Sequence, residues 1–148
     1  MSKILIIEDE QQKLDNLKDF LNEEFPDIEF SEKRSYNSAL REIVENHKDY
    51  SLILLDMSMT TYDVSVEESG GIPEPLAGEN ILDVMYLNEI PTKVVVVTMY
   101  ESFAGKKLKV FDSEIKENYP DNYLGYVFFS HKTTDWKLEL KKYIDSII

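Results

Sequence analysis

The sequence predicts an α/β fold, a parallel sheet doubly wound with helices on both faces, and three observations predict it. Ile4 to Ile7, Leu52 to Leu55 and Val94 to Val97 are unbroken apolar runs. They are too short for helices and lack the alternation of a half-exposed strand, so they read as central strands covered on both sides. Apolar residues recur at helical spacing between the runs. Carboxylates follow the first and third runs, where such a sheet places its functional residues.

In chain order, the first strand leads into a helix with Leu14, Leu17, Leu21 and Phe25 on one face. A second strand is expected at Ile28 to Ser31, then a helix whose apolar face holds Leu40, Ile43, Val44 and His47. The third strand ends at Asp56. Met57 to Ala77, with Gly70-Gly71, Pro73 and Pro75, reads as an irregular insertion, of a length that in compact domains forms lids, binding loops or disorder. Ile81, Leu82 and Met85 mark a third helix, before the fourth strand. An extended segment at 99–123 follows, helical from about Ser102 to Tyr119, with Lys106, Lys107 and Lys109 on it. Tyr126 to Phe129 is rich in strand-favouring residues, and Trp136, Leu140, Tyr143, Ile144 and Ile147 close the chain as a helix. The alternation gives (βα)5, and right-handed crossovers place helices on both faces. In the strand order 2-1-3-4-5, the switch point lies between the first and third strands at their carboxyl ends.

With 148 residues, 43% of them apolar, the chain is expected to form a single domain over 1–148. Its net charge of -13 repels phosphate backbones and anionic lipid, which argues against nucleic-acid or membrane partners. Cysteine is absent, and Met1-Ser2-Lys3 leads straight into a strand rather than a signal segment, so a cytoplasmic protein is expected.

The residues ending the strands carry the chemistry. Glu8, Asp9 and Glu10 follow the first strand, Asp56 the third, Thr98 the fourth, and Ser130-His131-Lys132 the fifth. Carboxylates crowded at one sheet edge repel unless a cation neutralises them, and an all-oxygen set selects a hard ion such as Mg²⁺. Glu8, Asp9 and Asp56 are the expected ligands, with the Ser58 backbone carbonyl a fourth, while Glu10 reads as a helix cap. A carboxylate beside Mg²⁺ can attack a phosphoryl group, giving an aspartyl phosphate at Asp56. Thr98 would offer a hydroxyl and Lys132 a cation to the phosphoryl oxygens.

KILIIEDE, LILLDM, GENILDVM and VVVVTM, in this order and spacing, resemble the receiver domain of two-component response regulators, a flavodoxin-like fold. The resemblance implies an acidic pair at Glu8 and Asp9, a phosphoacceptor at Asp56 and a switch hydroxyl at Thr98. It also implies a histidine kinase or phosphotransfer protein as donor and signalling through the fourth helix, fifth strand and fifth helix. The family's Lys-Pro after the fifth strand is absent from GYVFFSHKTTDWKLEL. Counting back from the last helix puts Lys132 in the lysine position, with Phe129 as an aromatic switch residue or a core aromatic. Counting forward from Gly125-Tyr126 puts Phe129 there instead and leaves no lysine. We follow the first count.

The expected function is therefore a stand-alone receiver that is phosphorylated on Asp56 and signals by binding an effector protein. It would be a phosphoacceptor with self-catalysed transfer and dephosphorylation rather than a dedicated enzyme, and self-association as a homodimer stays open. The alternative is a pseudo-receiver, an interaction module without phosphoryl chemistry. A phosphatase is disfavoured because Met-Ser-Met after Asp56 lacks a second aspartate.

Overall fold

The computed structural model describes residues 3–57, 77–100, 102–103 and 106–148, with 102, 103 and 106 as backbone alone. The three apolar runs become β1 (Lys3–Ile7), β3 (Leu52–Leu55) and β4 (Lys93–Thr98). With β2 (Glu29–Lys33) and β7 (Tyr123–Phe128) they form one parallel sheet of order β2-β1-β3-β4-β7, the predicted arrangement. The helices are α1 (Gln11–Glu24), α2 (Tyr36–Asn46), α3 (Ala77–Leu87), α4 (Leu108–Asn118) and α5 (Asp135–Ile147).

Alternating strand residues feed two cores. Ile4, Ile6, Leu52, Leu54, Val95 and Val97 pack against Leu14, Leu17 and Leu21 of α1 and Trp136, Leu140 and Ile144 of α5. Leu5, Ile7, Ile53, Leu55, Val94 and Val96 pack against Ile43 of α2, Ile81 and Met85 of α3, and Phe111 and Ile115 of α4. Each fully buried aliphatic side chain contributes about 1.5–3 kcal/mol. That is why strands without polar positions are stable only between two helical layers.

Some boundaries differ from the sequence reading. β2 runs on to Lys33 as an edge strand, where burial on one side only blurs its apolar pattern. Before α4 lies a short antiparallel pair, β5 (Ser102–Phe103) and β6 (Lys106–Lys107), so the expected helix begins at Leu108. On α2, Ala39 and Ile43 are buried and Val44 faces solvent, while His47 caps the helix with Nδ1 3.1 Å from the Ile43 carbonyl oxygen. Residues 58–76, holding most of the expected insertion and the Ser58 carbonyl, lie outside the described residues, as does Gly105.

β7 contains an irregularity. Val94 pairs with Tyr123 but Val95 pairs with Gly125, so Leu124 is an extra residue in the strand. From there the register runs unbroken to Thr98 opposite Phe128, and the Phe129 N–H donates to the Thr98 carbonyl at 2.7 Å. The forward count from Gly125-Tyr126 is therefore the correct one: Phe129, not Lys132, follows the end of the strand beside β4.

Candidate functional site

The order β2-β1-β3 makes the carboxyl ends of β1 and β3 the switch point of the sheet. Parallel pairing sets Ile7 beside Leu55, so the residues that follow, Glu8 and Asp56, leave neighbouring strands together. The Asp56 N–H donates to the Ile7 carbonyl at 3.0 Å, and the Glu8 N–H to the Lys33 carbonyl at 3.1 Å, fixing both backbones as they leave the sheet. One carboxylate oxygen from each of Glu8, Asp9 and Asp56 lies within 4.8 Å of the other two. Glu10 caps α1, its side chain accepting from the Lys13 N–H at 3.0 Å, as expected of it.

Helix α3 presses on this cluster through a glycine. The Gly78 N–H donates to the Met57 carbonyl at 3.0 Å, and a Cβ at Gly78 would lie 2.9 Å from Met57 Cα and 3.0 Å from the Asp56 carbonyl oxygen. Only a residue without a side chain permits that approach.

A residue the sequence reading passed over completes the site. Lys13, on the first turn of α1, is 1% exposed and turns its ammonium into the acidic cluster. Its Nζ lies 2.5 Å from Glu8 Oε1 and 3.7 Å from Asp56 Oδ1, and it donates to the Val97 carbonyl at 2.6 Å. The signal was a lysine on the same stripe as Leu14, Leu17, Phe20 and Leu21, since a charge on an apolar helix face is buried only when it is paired.

Burial pushes the Asp56 carboxyl well above the usual range; Glu8 and Asp9 push it the same way, and Lys13 opposes them. Glu8 is also raised by burial, against the pull of Lys13. Burial alone would lower Lys13, but Asp56 and Glu8 outweigh it and hold the ammonium protonated. Asp56 Oδ1 is buried and has no hydrogen-bond partner. An orphaned carboxylate oxygen beside two further carboxylates is a donor set that fits a hard divalent cation.

The pocket over the cluster, of about 260 Å³, is lined by Glu8, Asp9, Glu10, Lys13, Asp56, Met99 and Tyr100. Thr98 ends β4 next to it, fully buried, and its Oγ1 accepts from the Tyr100 N–H at 3.1 Å. Lys132 is not brought to the site: it is exposed, and its backbone N–H bonds Ser130 Oγ at 3.1 Å. Phe129 instead is 1% exposed in the α1–α5 core, tilted 44° against Trp136 with centroids 4.8 Å apart. His131 meets Phe129 edge-on and places Nε2 3.4 Å from Glu10 Oε2.

No protein-family model matches the chain. It is 29% identical to the Detocs response regulatory protein DtcB of Enterobacter cloacae over 150 aligned positions, covering 98% of this chain and 99% of that one. Among solved structures, the receiver domain of the Francisella response regulator 1452 superposes with a TM-score of 0.66 at 17% identity, over 99% of this chain and 96% of that one. This chain has the receiver fold of response regulators. The response regulator TrrA of Thermotoga maritima, solved in complex with Mg²⁺-BeF, matches this chain over the full length of both with a TM-score of 0.63 and 20% identity. Among the described residues, no helix is long and apolar enough to cross a membrane.

Proposed function

We propose that this receiver is a phosphoswitch in which Asp56 accepts a phosphoryl group from a phosphohistidine donor, a histidine kinase or phosphotransfer protein. One observation carries the reading: Asp56 Oδ1 is buried, has no hydrogen-bond partner, and faces a pocket it shares with Glu8 and Asp9. In the transfer, a bond forms between an Asp56 carboxylate oxygen and phosphorus as the donor's P–N bond breaks, and the released imidazole nitrogen takes up a proton. Glu8, Asp9 and Asp56 would hold Mg²⁺, which when bound offsets charge on the transferring oxygens. The Thr98 hydroxyl, one bond rotation from its Tyr100 contact, is the group available to turn toward a new phosphoryl oxygen. Such a turn would move the loop after β4, and with it the face formed by α4, β7 and α5. A pocket of about 570 Å³ on that face, lined by Asp112, Lys116, Tyr126, Glu139, Lys142 and Tyr143, is a fitting surface for an effector protein.

The reading as an interaction module without phosphoryl chemistry has one observation in its favour, that Lys13 already neutralises part of the acidic cluster. Incubation with Mg²⁺ and acetyl phosphate or beryllofluoride separates the two. A mass gain of one phosphoryl group, or a bound fluoroberyllate, that disappears in Asp56→Asn supports the switch. An unmodified protein with no affinity for Mg²⁺ supports the module.

A further inference from the structure

We infer that Lys13, delivered by α1, is the cation that grips the phosphoryl oxygens on Asp56, a role that no residue at the end of β7 fills. The inference rests on the phosphoacceptor reading and names the group that makes it chemically workable.

Three features place Lys13 in this role. Its Nζ lies 3.7 Å from Asp56 Oδ1, a buried oxygen with no hydrogen-bond partner, too long for a hydrogen bond and short enough for an ion pair. It is anchored on two sides, by the Val97 carbonyl at 2.6 Å and Glu8 Oε1 at 2.5 Å, so the ammonium is held in place before any ligand arrives. Its third donor direction is the one left for a phosphoryl oxygen, because an ammonium has three N–H groups and no acceptor. The end of β7 offers nothing comparable: Phe129 puts a buried ring there, its centroid 6.0 Å from Lys13 Nζ. Among the lysines whose side chains are described, Lys13 alone is buried and alone lines the pocket.

The anchoring has a second consequence. Before phosphorylation Lys13 shares Glu8 and Asp56 with any divalent ion in the same pocket, and like charges repel. Removing the ammonium should therefore weaken phosphorylation while leaving Mg²⁺ binding intact or tighter. A residue that merely supports the fold would lose both together.

The test compares wild type, Lys13→Met, Lys13→Gln and Lys132→Ala for phosphorylation by acetyl phosphate, read by intact mass, and for Mg²⁺ affinity, read by Trp136 fluorescence. Thermal unfolding in EDTA and in Mg²⁺ monitors folding. Lys13→Met is expected to slow phosphorylation roughly a hundredfold, and to melt lower in EDTA with recovery in Mg²⁺. Lys13→Gln, which keeps an N–H donor without the charge on a stem one bond shorter, should also lose phosphorylation while binding Mg²⁺ at least as tightly as wild type, and Lys132→Ala should match wild type throughout. Phosphorylation of both Lys13 variants at the wild-type rate, or its loss in Lys132→Ala, overturns the assignment and leaves the phosphoacceptor reading standing. Loss of Mg²⁺ binding together with phosphorylation in both Lys13 variants reduces Lys13 to a structural part and also overturns it. A wild-type protein that binds Mg²⁺ but takes no phosphoryl group overturns the broader reading, and this assignment with it.

Discussion

The Phe129 ring neighbours both the Lys13 ammonium and the Trp136 indole, 6.0 Å from Nζ to its centroid and 4.8 Å between ring centroids. Trp136 is the chain's single tryptophan and is 3% exposed. An event that shifts Lys13 is thus two contacts from the only indole fluorophore. Mg²⁺ or fluoroberyllate is expected to change Trp136 emission in wild type and not in Asp56→Asn, measured by titration at fixed pH. Identical responses in the two proteins would show that the indole senses something other than the site.

Acidity should matter in a direction set by burial. The carboxyls of Asp56 and Glu8 lie above their ordinary values of 3.8 and 4.5 in the folded, metal-free protein. Across the window above those values, the folded chain therefore holds protons the unfolded chain has released, so stability falls as pH rises through the folded pKa values. Without metal, the melting temperature is expected to be higher at pH 5 than at pH 8. The difference should shrink in Asp56→Asn and in saturating Mg²⁺, which binds the ionised form; differential scanning fluorimetry with and without EDTA measures it. A metal-free melting temperature that climbs with pH over this range would contradict the burial of the pair.

Gly78 is expected to tolerate no side chain. A Cβ there would meet Met57 Sδ at 2.5 Å and the backbone of residues 56 and 57 at 2.9–3.0 Å, and that backbone is tied to β1 by the Asp56 N–H. Gly78→Ala should destabilise by about 1–3 kcal/mol as overpacking, despite alanine's better helix propensity. It should also weaken Mg²⁺ affinity by displacing Asp56. Urea unfolding and a Mg²⁺ titration give the two numbers, and a stabilised Gly78→Ala would show that α3 can move off the acceptor at little cost.

Asn122 tests the opposite end of the sheet. Its buried amide donates to the Ile90 carbonyl at 2.7 Å and the Thr92 carbonyl at 3.0 Å, tying the turn before β7 to the turn before β4. Asn122→Ala strands both carbonyls and is expected to cost about 1–3 kcal/mol, with Mg²⁺ affinity unchanged because the acidic cluster sits at the strands' other ends. A variant as stable as wild type in urea would mean that water replaces both bonds.

Much of this molecule is legible in its sequence, for reasons that also explain what is not. Strands covered on both faces need apolar residues at every position, so ILII, LILL and VVVV announce themselves, and the carboxylates after them follow from chain direction alone. β2 is less constrained and extends two residues past the expected Ser31, and a short antiparallel pair stands where the helix from about Ser102 is expected. Counting back from α5 to Lys132 treats the connection after β7 as if its length were known. The register is set from the other end, where Phe129 bonds Thr98. Lys13 does not stand out at any strand end, yet a side chain with a four-carbon stem can reach a strand end from the adjoining helix.

That reach bears on how freely the chain can vary. Two of the three acids and the lysine that balances them lie within residues 8–13, a single strand-to-helix junction. The last strand contributes no charge to the cluster, so substitutions along its tip are judged by shape and greasiness rather than by electrostatics. Phe128, 37% exposed at that tip, sits where a lineage can remodel what it touches without disturbing the ion chemistry next door.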